Sequence, residues 1–341
     1  MSLGQAVLDE LSFIQAELPT VGTLVAAPLN TRCTLTAADS QRKLQLHVPY
    51  FVRQLGPADL GPAWKTFCLL LRQHGIPLFS PAKALQAVPA AAVPPRFGTR
   101  YIDQPIDAEE LTTADAFELA CYDLPRQYSG QVWQWSREIL PNQFPDFVRA
   151  VRQAAGGDTP IGLGLPLGCH AEDLRRAVQA EVDFICLSSR FRQLDAGDLR
   201  GLCRCRQMLG QFQREAMPIF VTAPLNDLEQ AHKLIALGAS AVCIDSLLRP
   251  LLPTAPAATT MLAGAGMLAG LTPVAAATAT ATRRAPELIA VQTALAEYRQ
   301  RLSERLRCVG VSDLTAFNAD VLRSCSERAE RVTGVASLAS D

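Results

Sequence analysis

The sequence predicts an α/β fold of the (β/α)8 barrel type, with an amino-terminal extension and an irregular Ala/Thr/Gly-rich segment after the last strand. Two observations carry this. Short runs that are apolar on both faces each precede a stretch of helical spacing, as strands buried on both sides of a parallel sheet do. The βα unit also repeats often enough for about eight strands, which suits a closed barrel better than an open doubly wound sheet. No Gly-rich dinucleotide fingerprint follows an early strand, and this weakens the Rossmann alternative.

The 341 residues are 49% apolar, enough for a large core in one large domain or two small ones. The formal charge is -1 and no Lys/Arg cluster stands out, so there is no electrostatic footprint for nucleic acid. The start, MSLGQAVLDELSFIQAEL, carries Asp9, Glu10 and Glu17 where a secretory signal needs an early positive charge and an unbroken apolar run. It reads as a short amphipathic helix of a cytoplasmic protein.

Thr23 to Val52 reads as an extended lead-in and a strand, with a polar turn at Asp39-Ser40-Gln41. Pro62 to His74 is helical, stopped by Gly75 and Pro77, and Ile76 to Phe79 is a strand. The Pro/Ala stretch Val88 to Pro95 makes a surface connection, and Ala116 to Cys121 is the next short strand. Tyr122 to Pro141, with Trp133 and Trp135, breaks the rhythm as an inserted loop before a helix over Phe144 to Ala155.

The clearest rhythm follows. Pro160 to Leu165, Phe184 to Leu187 and Pro218 to Val221 are strands that each lead into a helix, and Ala241 to Ile244 closes the series. In Ala171 to Ala180 the residues Ala171, Leu174, Ala177 and Val178 mark one buried face. The ten cysteines lie mostly in apolar runs and read as reduced, small hydrophobes. Cys203 and Cys205 are the one close pair, and a single intervening residue is not the usual zinc spacing.

Between Arg249 and Arg283 no residue is charged. The length would permit a membrane span near 255–282, but Ala, Thr, Gly and internal prolines supply little transfer free energy. A loop and helices packed over the barrel mouth, or a docking surface, are the other readings.

Several segments, from about Ala26 to Leu322, resemble the FMN-binding barrel domain of glutamate synthase and its free-standing relatives. The lead-in PLNTRCTLTAADSQRKLQLHVPYFV is similar to that family's entry into its first strand. Arg96-Phe97-Gly98 resembles its Arg-Tyr-Gly or Arg-Phe-Gly turn. Ala114 to Leu119 looks like the strand that ends in the family's GQGAKPGxGG loop, and Leu306 to Leu322 resembles its closing helix. The resemblance implies residues 1–45 as helix and lead-in and 46–341 as one barrel domain with its carboxyl-terminal helices. It also implies FMN as cofactor and, for an active member, amination of 2-oxoglutarate to glutamate with partner subunits.

The positions that serve chemistry in that family differ here. After Glu118-Leu119 the chain reads CYDLPRQYSG, with Asp123 at the family's glutamine, Arg126 near its lysine and Gly130 retained. Gly164 stands where the family's strand carries a lysine beside the flavin, so the cation that stabilises a reduced ring is missing there. Thr222-Ala223-Pro224 and Asp245-Ser246-Leu247 replace the glycines that let backbone N–H groups approach the phosphate. Pro224 has no N–H, and Asp245 brings negative charge. No cysteine lies between Ile244 and Arg307, so the family's iron–sulfur cluster is not expected.

Two local sets remain. Cys169-His170, between a strand and its helix, reads either as a nucleophile with its base or as a helix start. Ser188, Ser189, Arg190, Thr222, Ser246 and Arg249 lie at or just past strand ends and read either as solvated loop residues or as a set that binds a small anion or a flavin phosphate through side chains in place of backbone. Three functions follow: a degenerate, non-catalytic subunit or scaffold with a protein partner or as a homo-oligomer; an FMN-dependent oxidoreductase using Arg126 and Ser246; or a barrel that binds a small anionic metabolite.

Overall fold

A computed structural model describes residues 2–15, 30–36, 43–101, 108–120, 143–169, 171–189, 194–252 and 288–338. Eight parallel strands form the barrel: β1 (Tyr50–Phe51), β2 (Leu78–Phe79), β3 (Arg96–Tyr101), β4 (Ala116–Ala120), β5 (Ile161–Pro166), β6 (Phe184–Ser188), β7 (Ile219–Thr222) and β8 (Ala241–Cys243). Each pairs with its sequence neighbour, and β8 pairs with β1 through Val242 beside Tyr50. The ring closes between β1 and β2. Val52 N–H donates to Pro77 O at 3.0 Å, and Phe79 N–H donates to Val52 O at 2.8 Å. Closure pairs every strand of the eight-stranded sheet on both sides among the described residues.

Helices follow the strands: α1 (Trp64–His74), α2 (Ala82–Leu85), α3 (Ala108–Thr112), α4 (Phe144–Ala154), α5 (Ala171–Gln179), α6 (Ala196–Gln211), α7 (Leu228–Ala236) and α8 (Ile289–Cys308). In α1 the buried residues Trp64, Phe67, Cys68 and Leu71 recur at helical spacing, and Gly75 ends the helix in the left-handed region at φ 66. Asp195 and Asp227 cap α6 and α7 by accepting from Asp198 N and Gln230 N, which satisfies amides that the helices leave free.

Alternating strand residues divide the core. Val52, Leu119, Leu163, Ile185, Val221 and Val242 face the helices, whereas Phe51, Phe79, Phe97, Phe184 and Phe220 fill the interior. These five rings meet at centroid distances from 4.8 to 6.3 Å. Glycine at 162 makes room for them: a Cβ there would lie 2.2 Å from the Phe184 ring. An antiparallel hairpin, Cys33–Thr36 with Lys43–Leu46, adds Leu35 and Leu46 to the interior cluster at the amino-terminal end of the barrel.

The structure departs from the sequence reading in three places. Arg96-Phe97-Gly98 is not a turn but the start of β3: Phe97 enters the barrel core, and the buried Arg96 guanidinium ties the strand to Ser80 O, Glu110 and Thr113. The amino-terminal helix covers only Leu3–Asp9, after which Leu11–Phe13 pairs antiparallel with Leu322–Ser324. The closing helix ends at Cys308. Beyond it the side chains of Asp313 and Asn318 accept from Thr315 N and Asp320 N, and these local bonds hold 3-10 turns in place of α-helix. The expected turn at residues 39–41, the loop 122–141 and the uncharged segment near 255–282 lie outside the described residues. Among the described residues no helix is long and apolar enough to cross a membrane.

Candidate functional site

The carboxyl ends of β1 to β8 form the end of the barrel that carries active sites in this fold. Just above the phenylalanine layer, Arg53 follows β1 and turns its guanidinium inward, 4.8 Å from the centroid of the Phe79 ring. It pairs with Glu118 of β4 at 2.5 Å, and Thr99 of β3 donates to the same carboxylate oxygen at 2.7 Å. Glu118 is fully buried. Burial is the largest single influence on Arg53 and acts to discharge it, but Glu118 together with Cys186 and Cys243 holds the guanidinium charged, above its ordinary range. Cys186 and Cys243 line the same level, and burial pushes both thiols well above their usual range, so neither is a ready nucleophile.

Asp245, first residue after Ile244 and the start of the short helix Asp245–Leu248, closes one side of the mouth. Its carboxylate accepts from Arg53 N at 3.1 Å and from Gln54 N at 2.5 Å. Burial raises its pKa, while the Gln54 and Arg53 amides pull the other way.

The sequence-derived site residues separate into two groups. Ser188 and Thr222 come together: they are paired in register at the ends of β6 and β7, and each is two residues beyond an interior side chain, Cys186 or Phe220. Their hydroxyl oxygens are shut off from solvent without a hydrogen-bond partner. Gly164, on β5, is in register with Ala120 and Cys186 on the same inner face. The rest are engaged elsewhere. Ser189 Oγ donates to Asp198 at 2.8 Å, Ser246 Oγ accepts from Leu225 N at 2.9 Å, and the exposed Arg249 pairs with Asp59 at 2.9 Å. Arg126, Arg190 and His170 lie outside the described residues. Cys169 is buried, and its N–H donates to Pro166 O at 3.0 Å.

Sequence reasoning missed Arg53, Glu118 and Asp245 as one cluster. A signal was present: Glu118 is a charged residue inside an otherwise apolar strand run, and such a residue needs a partner. Its partner lies 65 positions away, and strand spacing does not reveal it.

An FMN phosphate would need N–H donors or cations at the ends of β7 and β8. Pro224 has no N–H, Asp245 brings a carboxylate, the Ser246 hydroxyl is bonded to Leu225, and Arg249 is held by Asp59. The described residues do not fit that group. Among them there is also no cluster of three or more His, Cys, Asp or Glu placed to hold a metal.

A concavity of about 1110 Å³ opens at the amino-terminal end beside Cys33, Gly238, Ser240 and Phe317. Arg206 projects there, but its donors go to the carbonyls of Gly238, Glu215 and Met217 and to Ser240 Oγ. It ties down the loops before β7 and β8, a structural task. Burial lowers its pKa.

No protein-family model matches the sequence, and no curated protein matches it. Solved structures do match in fold. Mandelate oxidase aligns with a TM-score of 0.59 at 17% identity, over 92% of this chain and 87% of that one. A mandelate oxidase variant with a monooxide FMN adduct gives 0.58 at 16% identity, over 92% and 87%. A flavocytochrome b2 variant with pyruvate bound gives 0.60 at 13% identity, over 95% and 78%. The barrel therefore shares its fold with mandelate oxidase and flavocytochrome b2.

Proposed function

We propose that this chain is a (β/α)8 barrel of flavin-oxidase architecture that has left flavin chemistry and serves as a non-catalytic subunit or scaffold. One observation carries the reading: Asp245 turns a buried carboxylate onto the Arg53 and Gln54 amides at the end of β8, where barrels of this fold admit a phosphate. A phosphate there would meet like charge in a site poor in solvent. Arg53, the inward cation of the mouth, is already neutralised by Glu118.

The fold likeness to an FMN-containing mandelate oxidase supports a second reading, an FMN-dependent oxidoreductase. For this chain the sequence resemblance makes that the glutamate-synthase type, aminating 2-oxoglutarate with partner subunits. The visible absorption spectrum of the purified protein, with an FMN titration, separates the two. The scaffold reading expects no flavin bands and no binding at excess FMN. Stoichiometric bound FMN overturns it.

A further inference from the structure

We propose that the barrel mouth binds a small, uncharged, hydroxylated molecule between Ser188 and Thr222. This rests on the non-redox reading of the mouth and names the ligand class of that site.

Ser188 is 8% exposed, and its Oγ, like Thr222 Oγ1, has no partner. A buried hydroxyl without a hydrogen bond is costly, and native proteins keep few of them. Two such groups in register on neighbouring strands are therefore a feature to be explained. Neighbouring strands lie about 4.8 Å apart, so the two oxygens can be bridged by one small molecule. The inner face beside them carries small residues, Ala120, Gly164 and Cys186. An eight-stranded barrel has room for one small ligand at its mouth and little more.

The charges choose the class. The described charged groups that face the mouth are one cation, Arg53, and two carboxylates, Glu118 and Asp245. Glu118 balances the charge of Arg53, and an anion would bring a further negative charge beside Asp245. A cation would lose its hydration and meet Arg53 on the barrel axis. Each orphaned hydroxyl can both donate and accept, and the neutral group that answers with the same pair of capacities is another hydroxyl.

The test uses the purified full chain and erythritol as probe, observed by saturation-transfer NMR, with glycolate as the anionic counterpart. Erythritol should receive saturation and glycolate should not. Ser188→Ala and Thr222→Val should each weaken erythritol binding by about tenfold, the loss expected for one hydrogen bond. Thr222→Ser, which keeps the hydroxyl, should bind as the parent does and guards against a folding defect. The proposal is overturned by absent erythritol binding, by binding unchanged in both hydroxyl-deleting variants, or by tighter binding of glycolate. It is equally overturned if erythritol-soaked crystals show only water between the two oxygens. Bound FMN in the absorption spectrum would instead defeat the non-redox reading, so the two failures are distinguishable.

Discussion

Arg53 and Glu118 meet inside the barrel at 2.5 Å, with side chains 10% and 0% exposed, on top of a layer made of five phenylalanines. Both groups gave up hydration to be there, so the pair's net contribution is small while its asymmetry is large. Glu118→Gln removes the buried carboxylate that faces the guanidinium and should cost about 3 kcal/mol of unfolding free energy. The double variant Arg53→Met with Glu118→Leu removes both charges and should fall within about 1 kcal/mol of the parent. Urea unfolding followed by circular dichroism measures both. Equal losses for the single and double variants would show that the charges themselves do not matter.

The orphaned hydroxyls lead to the opposite expectation. Thr222→Val keeps the shape of the side chain and removes an oxygen that has no partner. Stability should rise by about 1 kcal/mol, because a desolvated polar group disappears and no bond is lost. A fall of that size would mean that Oγ1 is bonded in solution. Stability gained at a binding position at the expense of function is the pattern expected if the mouth is a working site.

Gly162 sits against the Phe184 ring with no space for a side chain. Gly162→Ala should destabilise the barrel by about 1–3 kcal/mol, since the ring must leave its place among the other four phenylalanines. Near-ultraviolet circular dichroism, which follows aromatic packing, should change in the same variant. An unperturbed aromatic signal together with parental stability would show that the layer is loosely packed.

Much of the barrel was legible because β5 to β8 are short runs buried on both faces, and their pattern depends only on local sequence. β3 was not. Arg96 and Gly98 broke the apolar run, and nothing local shows that Arg96 is neutralised by Glu110 in a later helix. The site was legible in the same partial way. Ser188 and Thr222 could be placed at strand ends by counting, and the parallel register then brought them side by side. Ser189, Ser246 and Arg249 sit at equivalent positions along the chain, yet their side chains turn to Asp198, Leu225 and Asp59. One residue along a strand reverses the face, and loop conformation decides the rest.

His232 on α7 gives the barrel a pH dependence of known sign. Its Nε2 lies 2.9 Å from the Tyr50 hydroxyl, and the residue is 3% exposed. Burial is the largest cause of a pKa lowered to about 3, with Arg305 and Arg301 adding repulsion. Between the ordinary value of 6.5 and about 3, the unfolded chain takes up a proton that the folded chain refuses. Stability therefore falls as pH drops through this window, and above pH 6.5 the group contributes no pH dependence. From pH 7 to pH 5 the loss assignable to this residue should be about 2 kcal/mol. Carboxylates titrate nearby in pH, so the measurement is a difference: unfolding free energy at pH 7 and pH 5 for the parent and for His232→Gln. The parent should lose about 2 kcal/mol more than the variant over that interval. An equal loss in both would mean that the imidazole is solvated in the folded protein and that α7 does not seal it against β1.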